Sequence, residues 1–485
     1  MPPVSSQLPQ PSHSSQPEEP YRPEELSQSE EPSLPTGFRW GVATSAYQIE
    51  GAAAEDGKGP SIWDTFTARP GAVRDGRTGG TACDHYHRHS EDVALMRGLG
   101  LDAYRFSVSW PRVQPDGAGP VNTPGLDFYD RLVDELLAAG IAPTPTLFHL
   151  DLPQALEDAG GWLNRDTAER FGAYAAVVAE RLGDRVASWI TLNEPVVHMV
   201  YGYAFGIHAP GRALMLDALP TAHHQLLGHG LAVAALRAAG AREVMIANNC
   251  TPVRPADPGG EGGGEPGDSG AAAVEAYDAL HNRLFTDPLL LGRYPDLSAF
   301  GLADPTWGGL IREGDLRIVS APLDALGINY YNPSWVGPPA EGGGLPFELA
   351  EPPEGRYPRT AFGWPVVPEG LTELLLRFRQ RYGDALPPVL ITENGCSLPD
   401  EGDGADDRAR IAYLRGHIDA VAAAVDRGVD VRGYFTWSLL DNFEWAEGFQ
   451  QRFGLVHVDF DTLVRTPRAS YGWYRDRIAR HRGRG

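Results

Sequence analysis

Lysine is almost missing from this chain: of 41 Lys and Arg residues in 485, Lys58 is the single lysine. The preference for arginine reads as base composition of the gene rather than design. Cysteine is also scarce. Cys83, Cys250 and Cys396 are an odd number in a long chain, which implies no disulfide framework and points to a reducing, cytoplasmic setting. No run of about 18 apolar residues occurs, and the N-terminus lacks the apolar stretch of a secretory signal, so neither a membrane span nor export is expected. Positive charge is in short supply too. A formal net charge of −23 leaves no basic face for a phosphate backbone or an anionic membrane. A small neutral partner fits better, and the sequence leaves self-association open.

What is present falls into two parts. Residues 1–34 are rich in Pro, Ser, Gln and Glu and have little to bury, so they read as a disordered extension. Residues 35–485 read as one large domain. Within it, Pro255–Gly270 and Gly337–Pro358 read as surface loops. Eight apolar runs suit buried strands: Phe38–Thr44, Ala103–Trp110, Ala142–His149, Ser188–Glu194, Val244–Asn249, Ala325–Tyr331, Val389–Glu393 and Gly433–Leu439. Helical spacing fills the gaps, as at Phe128–Ala139, where Leu132, Val133, Leu136 and Leu137 precede the stop Gly140, and at Arg170–Leu182 and Arg410–Arg427. Continuous apolar strands alternating with helices predict a parallel sheet covered on both faces. Eight such units predict an α/β fold closed as a (β/α)8 barrel with elaborated loops, with an open doubly wound sheet as the rival.

A barrel places its chemistry at the C-terminal strand ends. Those ends carry Arg105 to Trp110, His149, Asn193-Glu194, Asn248-Asn249, Asn329 to Tyr331, Glu393 and Trp437. Any one could be a satisfied core residue or a strand end meeting water; their recurrence at one end argues for a site. Two glutamates delivered this way are the minimum needed to cut a glycosidic bond.

Six segments then resemble glycoside hydrolase family 1, the retaining β-glucosidase family, over about residues 34–480. They are the run from Phe38 through Trp40-Gly41 and Tyr47-Gln48-Ile49-Glu50 to Gly51, Tyr104-Arg105-Phe106, Thr191-Leu192-Asn193-Glu194-Pro195, Gly327-Ile328-Asn329-Tyr330-Tyr331, Ile391-Thr392-Glu393-Asn394-Gly395 and Trp437 to Trp445. The resemblance implies Glu194 as acid/base and Glu393 as nucleophile, with Arg105, Asn329 and Tyr331 around the nucleophile, where a cation and hydrogen bonds favour its charged form. It implies sugar contacts from Gln48, His149, Asn193, Tyr331, Trp437, Glu444 and Trp445, and an aglycone platform at Trp364. An anionic Glu444 would repel a phosphate, so an unphosphorylated sugar is expected. Substrates implied are β-glucosides and short gluco-oligosaccharides of the kind released from cellulose. Transfer to another acceptor, a galactoside or fucoside preference, and a non-catalytic sugar-binding role are the alternatives. No cofactor or metal is needed, since two carboxyls supply acid, base and nucleophile; His85, His87 and His89 alternate, but His85 and His89 read as part of a polar helix start rather than a metal site.

One position departs from the family pattern. His149-Leu150-Asp151-Leu152-Pro153-Gln154 has leucine where the family usually has tryptophan. A lost neutral hydrogen bond is worth about 0.5–1.5 kcal/mol, against the 10²–10⁴-fold role of a general acid–base group. Leu150 is therefore expected to tune the site, leaving the preferred sugar open.

Overall fold

A computed structural model describes residues 33–256, 268–398 and 407–483. Eight parallel strands close into one barrel: β1 (Arg39–Ala43), β2 (Ala103–Ser107), β3 (Ala142–Phe148), β4 (Ser188–Asn193), β5 (Glu243–Asn249), β6 (Leu326–Asn329), β7 (Val389–Asn394) and β8 (Val431–Trp437). Each strand lies beside its sequence neighbours, and β1 pairs with both β2 and β8, which closes the ring. The eight expected strands are all present, and the open sheet is excluded.

The strand ends differ from expectation for local reasons. The second apolar run stops at Ser107 because Trp110–Val113 forms a short helix, with Pro111 in its first turn where a missing N–H costs nothing. The β3 strand carries Pro143 and Pro145 in the middle of a sheet, where proline normally breaks a ladder. Its pairing with β4 is confined to Thr146 and Phe148, beyond both prolines, so neither removes a bond on that side.

Amphipathic helices wrap the barrel. Among them are α1 (His85–Leu99), α2 (Thr123–Ala138), α3 (Arg165–Leu182), α4 (Pro220–Ala238), α5 (Asp268–Asp278), α6 (Pro368–Tyr382) and α7 (Arg408–Asp426). In α2, Phe128, Tyr129, Leu132, Val133 and Leu136 are buried, as the spacing predicts for Leu132, Val133 and Leu136, but Leu137, expected on the same face, is exposed. Burying a side chain of this size contributes about 1.5–3 kcal/mol. The α1 helix begins at His85, and its three histidines engage separate carboxylates: His85 with Asp92, His87 with Asp84 and Glu55, His89 with Glu135.

Two loop expectations need correction. The stretch Gly337–Pro358 contains a strand, Glu348–Ala350, paired antiparallel to Ser334–Gly337, which in turn runs parallel to Val253–Pro255. This small sheet folds over the rim because Val336 and Val253 bury their side chains. Most of Pro255–Gly270 lies outside the described residues, and Asp268 already begins α5. The expected extension also lies outside them, save for its last two residues. Of these, Leu34 is buried in the core. The three cysteines are free and buried, and no described helix is long and apolar enough to cross a membrane.

Candidate active site

The strand register slips where polar side chains leave the barrel wall. Pairing shifts between Ile190 and Asn193 on β4, and between Ile391 and Glu393 or Asn394 on β7. Such irregularities re-aim side chains at a sheet's end. Glu194, the residue after β4, sits in the left-handed region at φ 45, a strained setting for a residue with a β-carbon. Its N–H is held by the Ala247 carbonyl at 2.8 Å, so the turn is fixed from β5.

The two glutamates meet through shared partners. Arg105, fully buried, donates from one nitrogen to Glu393 Oε1 at 2.6 Å and from the other to Asn193 Oδ1 at 2.5 Å. Tyr331 donates its phenol to Glu393 Oε2 at 2.8 Å. Asn329 is oriented by the Thr392 hydroxyl, which donates to its Oδ1; its Nδ2 then donates to both Asn193 Oδ1 and Glu194 Oε1, each at 3.0 Å. Asn249 adds a second N–H to Glu194 Oε1 at 2.9 Å. The five residues expected at the catalytic centre therefore form one hydrogen-bonded cluster with Asn193.

Their surroundings separate the carboxyls. Burial and the negative Glu393 beside it push Glu194 up to about 7, partly offset by its amide donors. Burial also raises Glu393, against the pull of Arg105, Tyr331 and Asn329. The expectation that those partners favour the charged form holds in direction, but desolvation outweighs them. Glu393 remains the member better suited to hold charge, because a guanidinium and a phenol donate hydrogen bonds to it, whereas the hydrogen bonds to Glu194 come from amides.

The expected sugar-contact residues lie around this cluster. His149 Nε2 accepts from Asn193 Nδ2 at 3.0 Å, which leaves the other ring nitrogen as the N–H; that Nδ1 is buried without a hydrogen-bond partner among the described residues. Burial and Arg105 hold the ring neutral. The indole of Trp437 stacks on His149 at 5.8 Å and that of Trp445 at 6.0 Å, so both tryptophans wall one side. Gln48 donates to Glu444 at 3.2 Å and to Asn442 at 3.0 Å, while its own oxygen accepts from Ser45. It thus braces Glu444 instead of presenting free N–H groups.

Glu444 sits in an unusual setting for a carboxyl. Burial and the charges of Glu393, Glu194 and Glu447 hold it protonated up to about 8. The carboxyl therefore ionises less readily than an ordinary glutamate.

On the outer side, Trp364 stacks on Phe362 at 4.3 Å and nearly parallel, with Tyr331 and Phe453 beside it. Phe362, Phe453 and Asn249 join the site beyond the residues expected there. Phe362 stands in the same Phe-Gly-Trp run as Trp364, and Asn248-Asn249 is visible as a polar strand end; Phe453 carries no local signal. Leu150 is 2% exposed with φ 67, a buried side chain at a strained corner directly after His149.

Comparison with known proteins agrees with this geometry. The model of "Glycosyl hydrolase family 1" matches residues 30–483. A thermostable beta-glucosidase B of Thermobispora bispora is 50% identical over 459 residues, covering 93% of this chain and 91% of the relative. A bifunctional beta-D-glucosidase/beta-D-fucosidase of Bifidobacterium breve is 44% identical over 477 residues, covering 93% and 99%. Among solved structures, a psychrophilic beta-glucosidase from Micrococcus antarcticus superimposes with a TM-score of 0.87 at 46% identity, covering 93% of this chain and 98% of that one. With eight strands closed in a ring and paired glutamates at the ends of β4 and β7, this chain belongs to glycosyl hydrolase family 1.

Proposed function

We propose that the chain is a retaining β-glucosidase in which Glu393 is the nucleophile and Glu194 the acid/base. The observation that carries this is the unequal setting of two buried glutamates tied together by Arg105, Asn193 and Asn329. In the first step Glu393 attacks the anomeric carbon, the bond to the leaving oxygen breaks, and the Glu194 proton moves to that oxygen. The result is a covalent glycosyl ester. In the second step Glu194, now a carboxylate, takes a proton from water as the water oxygen attacks the same carbon, and Glu393 leaves as a carboxylate. Two inversions give retention.

His149 Nδ1, Asn193, Glu444 and the two tryptophans form the glycone wall in this reading, and Trp364 with Phe362 a flat platform for the aglycone. The residues 35–485 act as one catalytic domain on small neutral β-glycosides, including short gluco-oligosaccharides from cellulose. Three buried free thiols suit a reducing, cytoplasmic setting. A broader glycone range is the second reading, favoured by Leu150 and by the B. breve relative named for both glucosidase and fucosidase activity. Nitrophenyl β-glucoside, galactoside, fucoside and mannoside, compared by kcat/KM, test both. Glucoside and fucoside are expected to be cleaved, with glucoside preferred; a mannoside-selective enzyme contradicts the proposal. Product analysis at high acceptor concentration separates hydrolysis from transfer.

A further inference from the structure

Behind Glu194 lies a chain of side chains that none of the sequence motifs include. The amide of Asn249 donates to Glu194 Oε1, and its Oδ1 is 3.1 Å from His281 Nε2. His281 Nδ1 is 3.3 Å from the Tyr277 hydroxyl, which is also 3.3 Å from Ser334 Oγ. The rings of Tyr277 and His281 stack at 5.4 Å and 20°. Tyr277 is on α5, and His281 is in the π-helical turn Ala279–Arg283 that continues it. A π-turn inserts one extra residue and is frequent at functional sites. This turn is pinned to the strand-end loop, because Asn282 accepts from Thr251 N at 3.1 Å and donates to Thr251 O at 2.8 Å.

An asparagine amide is nearly symmetric in shape, so its partners decide which end faces Glu194. We propose that His281 is a positioning residue: its Nε2–H locks the Asn249 amide with the N–H end toward Glu194, which keeps the catalytic proton on Glu194 Oε2. This deepens the reading of Glu194 as acid/base and rests on it. With Asn249 and Asn329 both donating, Oε1 is occupied as an acceptor, whereas Oε2 takes no protein hydrogen bond among the described residues. A flipped Asn249 would turn its oxygen toward Oε1 and draw the proton onto that oxygen, away from the leaving group.

The neutral imidazole has one arrangement that satisfies the chain. Nε2 carries the hydrogen for Asn249, and Nδ1 accepts from the Tyr277 hydroxyl. Burial pushes His281 down to about 4, so this neutral form persists through the working range. The other groups facing Glu194 are Glu393, which raises it, Arg105, which lowers it, and the more distant Tyr201, Tyr331 and Glu444. On the helical side, Asp278 is engaged by Arg283 and Asn282.

The test compares wild type with His281→Phe, His281→Gln and Glu194→Gln on two aryl glucosides, one with a dinitrophenolate leaving group that needs no proton and one with a poor, alkylphenol leaving group that does. Phenylalanine keeps the stack on Tyr277 but cannot hold the amide. The expected result for His281→Phe is a loss of ~10-fold in kcat/KM on the poor leaving group, with little change on the good one. The alkaline limb should move upward by about one pH unit, since the carboxylate loses a donor. His281→Gln, which offers an amide N–H, should recover most of both effects. Equal losses on the two substrates, or an unmoved limb with unchanged rates, overturn the proposal. Should Glu194→Gln keep full activity on the poor leaving group, the reading of Glu194 falls instead, so the two failures are distinct.

Discussion

Glu444→Gln removes a buried ionisable carboxyl while keeping the side chain's shape and its acceptor for Gln48. In the folded chain Glu444 holds its proton up to about 8, against about 4.3 in an unfolded chain. A group raised in this way favours the folded state most at low pH. Its contribution is fully present below about 4.3 and is lost as pH rises toward 8. The gap of nearly four pH units corresponds to a ceiling of about 5 kcal/mol between those limits. Glutamine has no proton to lose, so the variant should be the more stable protein at pH 8 and nearly equal to wild type at pH 4.5. With an unfolding entropy of about 2.1 cal/mol/K per residue, a chain of this size shifts by about 1 °C for each kcal/mol. Thermal unfolding of both proteins at one scan rate should therefore show a gap of up to about 5 °C at pH 8 that closes at pH 4.5. Activity on glucosides should fall in the same variant, the exchange expected when a binding group is held in an unfavourable setting. A gap that is equal at the two pH values, or larger at pH 4.5, refutes the reasoning.

Three further outcomes follow from the same cluster. The kcat/KM profile should be bell-shaped, falling above about 7 as Glu194 loses its proton and falling on the acid side as Glu393 gains one; a flat profile from pH 5 to 9 contradicts the two roles. Arg105→Met should lower stability by about 3–5 kcal/mol, by leaving Glu393 buried without a cation, and should move the acid limb upward, as urea unfolding and a pH series would show. Leu150→Trp should raise kcat/KM on β-glucosides severalfold by restoring an indole N–H; equal or lower efficiency would mean that the buried leucine corner is matched to this pocket.

Much of this site is legible in the sequence, because barrel strands are buried on both faces. A polar pair closing a buried run, such as Asn193-Glu194 after Trp189-Ile190-Thr191-Leu192, stands out against that background. The same logic picks out Asn329 and Glu393, whereas Arg105 lies inside its strand and its place beside the nucleophile comes with the family resemblance. Charge state is harder to see. Glu444 reads as an ordinary anion in sequence, and its upward shift arises because the fold buries it and brings Glu393 and Glu194 near it. Residues that act through another side chain are hidden for a different reason. His281 has no motif around it, and it reaches Asn249 through a π-turn that helical spacing does not anticipate. The rim strand Glu348–Ala350 escapes the pattern because half-exposed residues among glycines and prolines carry no alternation to read.

Trapping the covalent intermediate tests the assignment of Glu393 most directly. A 2-deoxy-2-fluoro-β-glucoside with a dinitrophenolate leaving group forms the glycosyl ester quickly and releases it slowly, so intact mass should rise by one fluorosugar. Peptide mapping should place that sugar on the segment containing Ile391-Thr392-Glu393-Asn394, at Glu393. An unlabelled protein that still turns over ordinary glucosides, or a label on any other carboxyl, would contradict the mechanism.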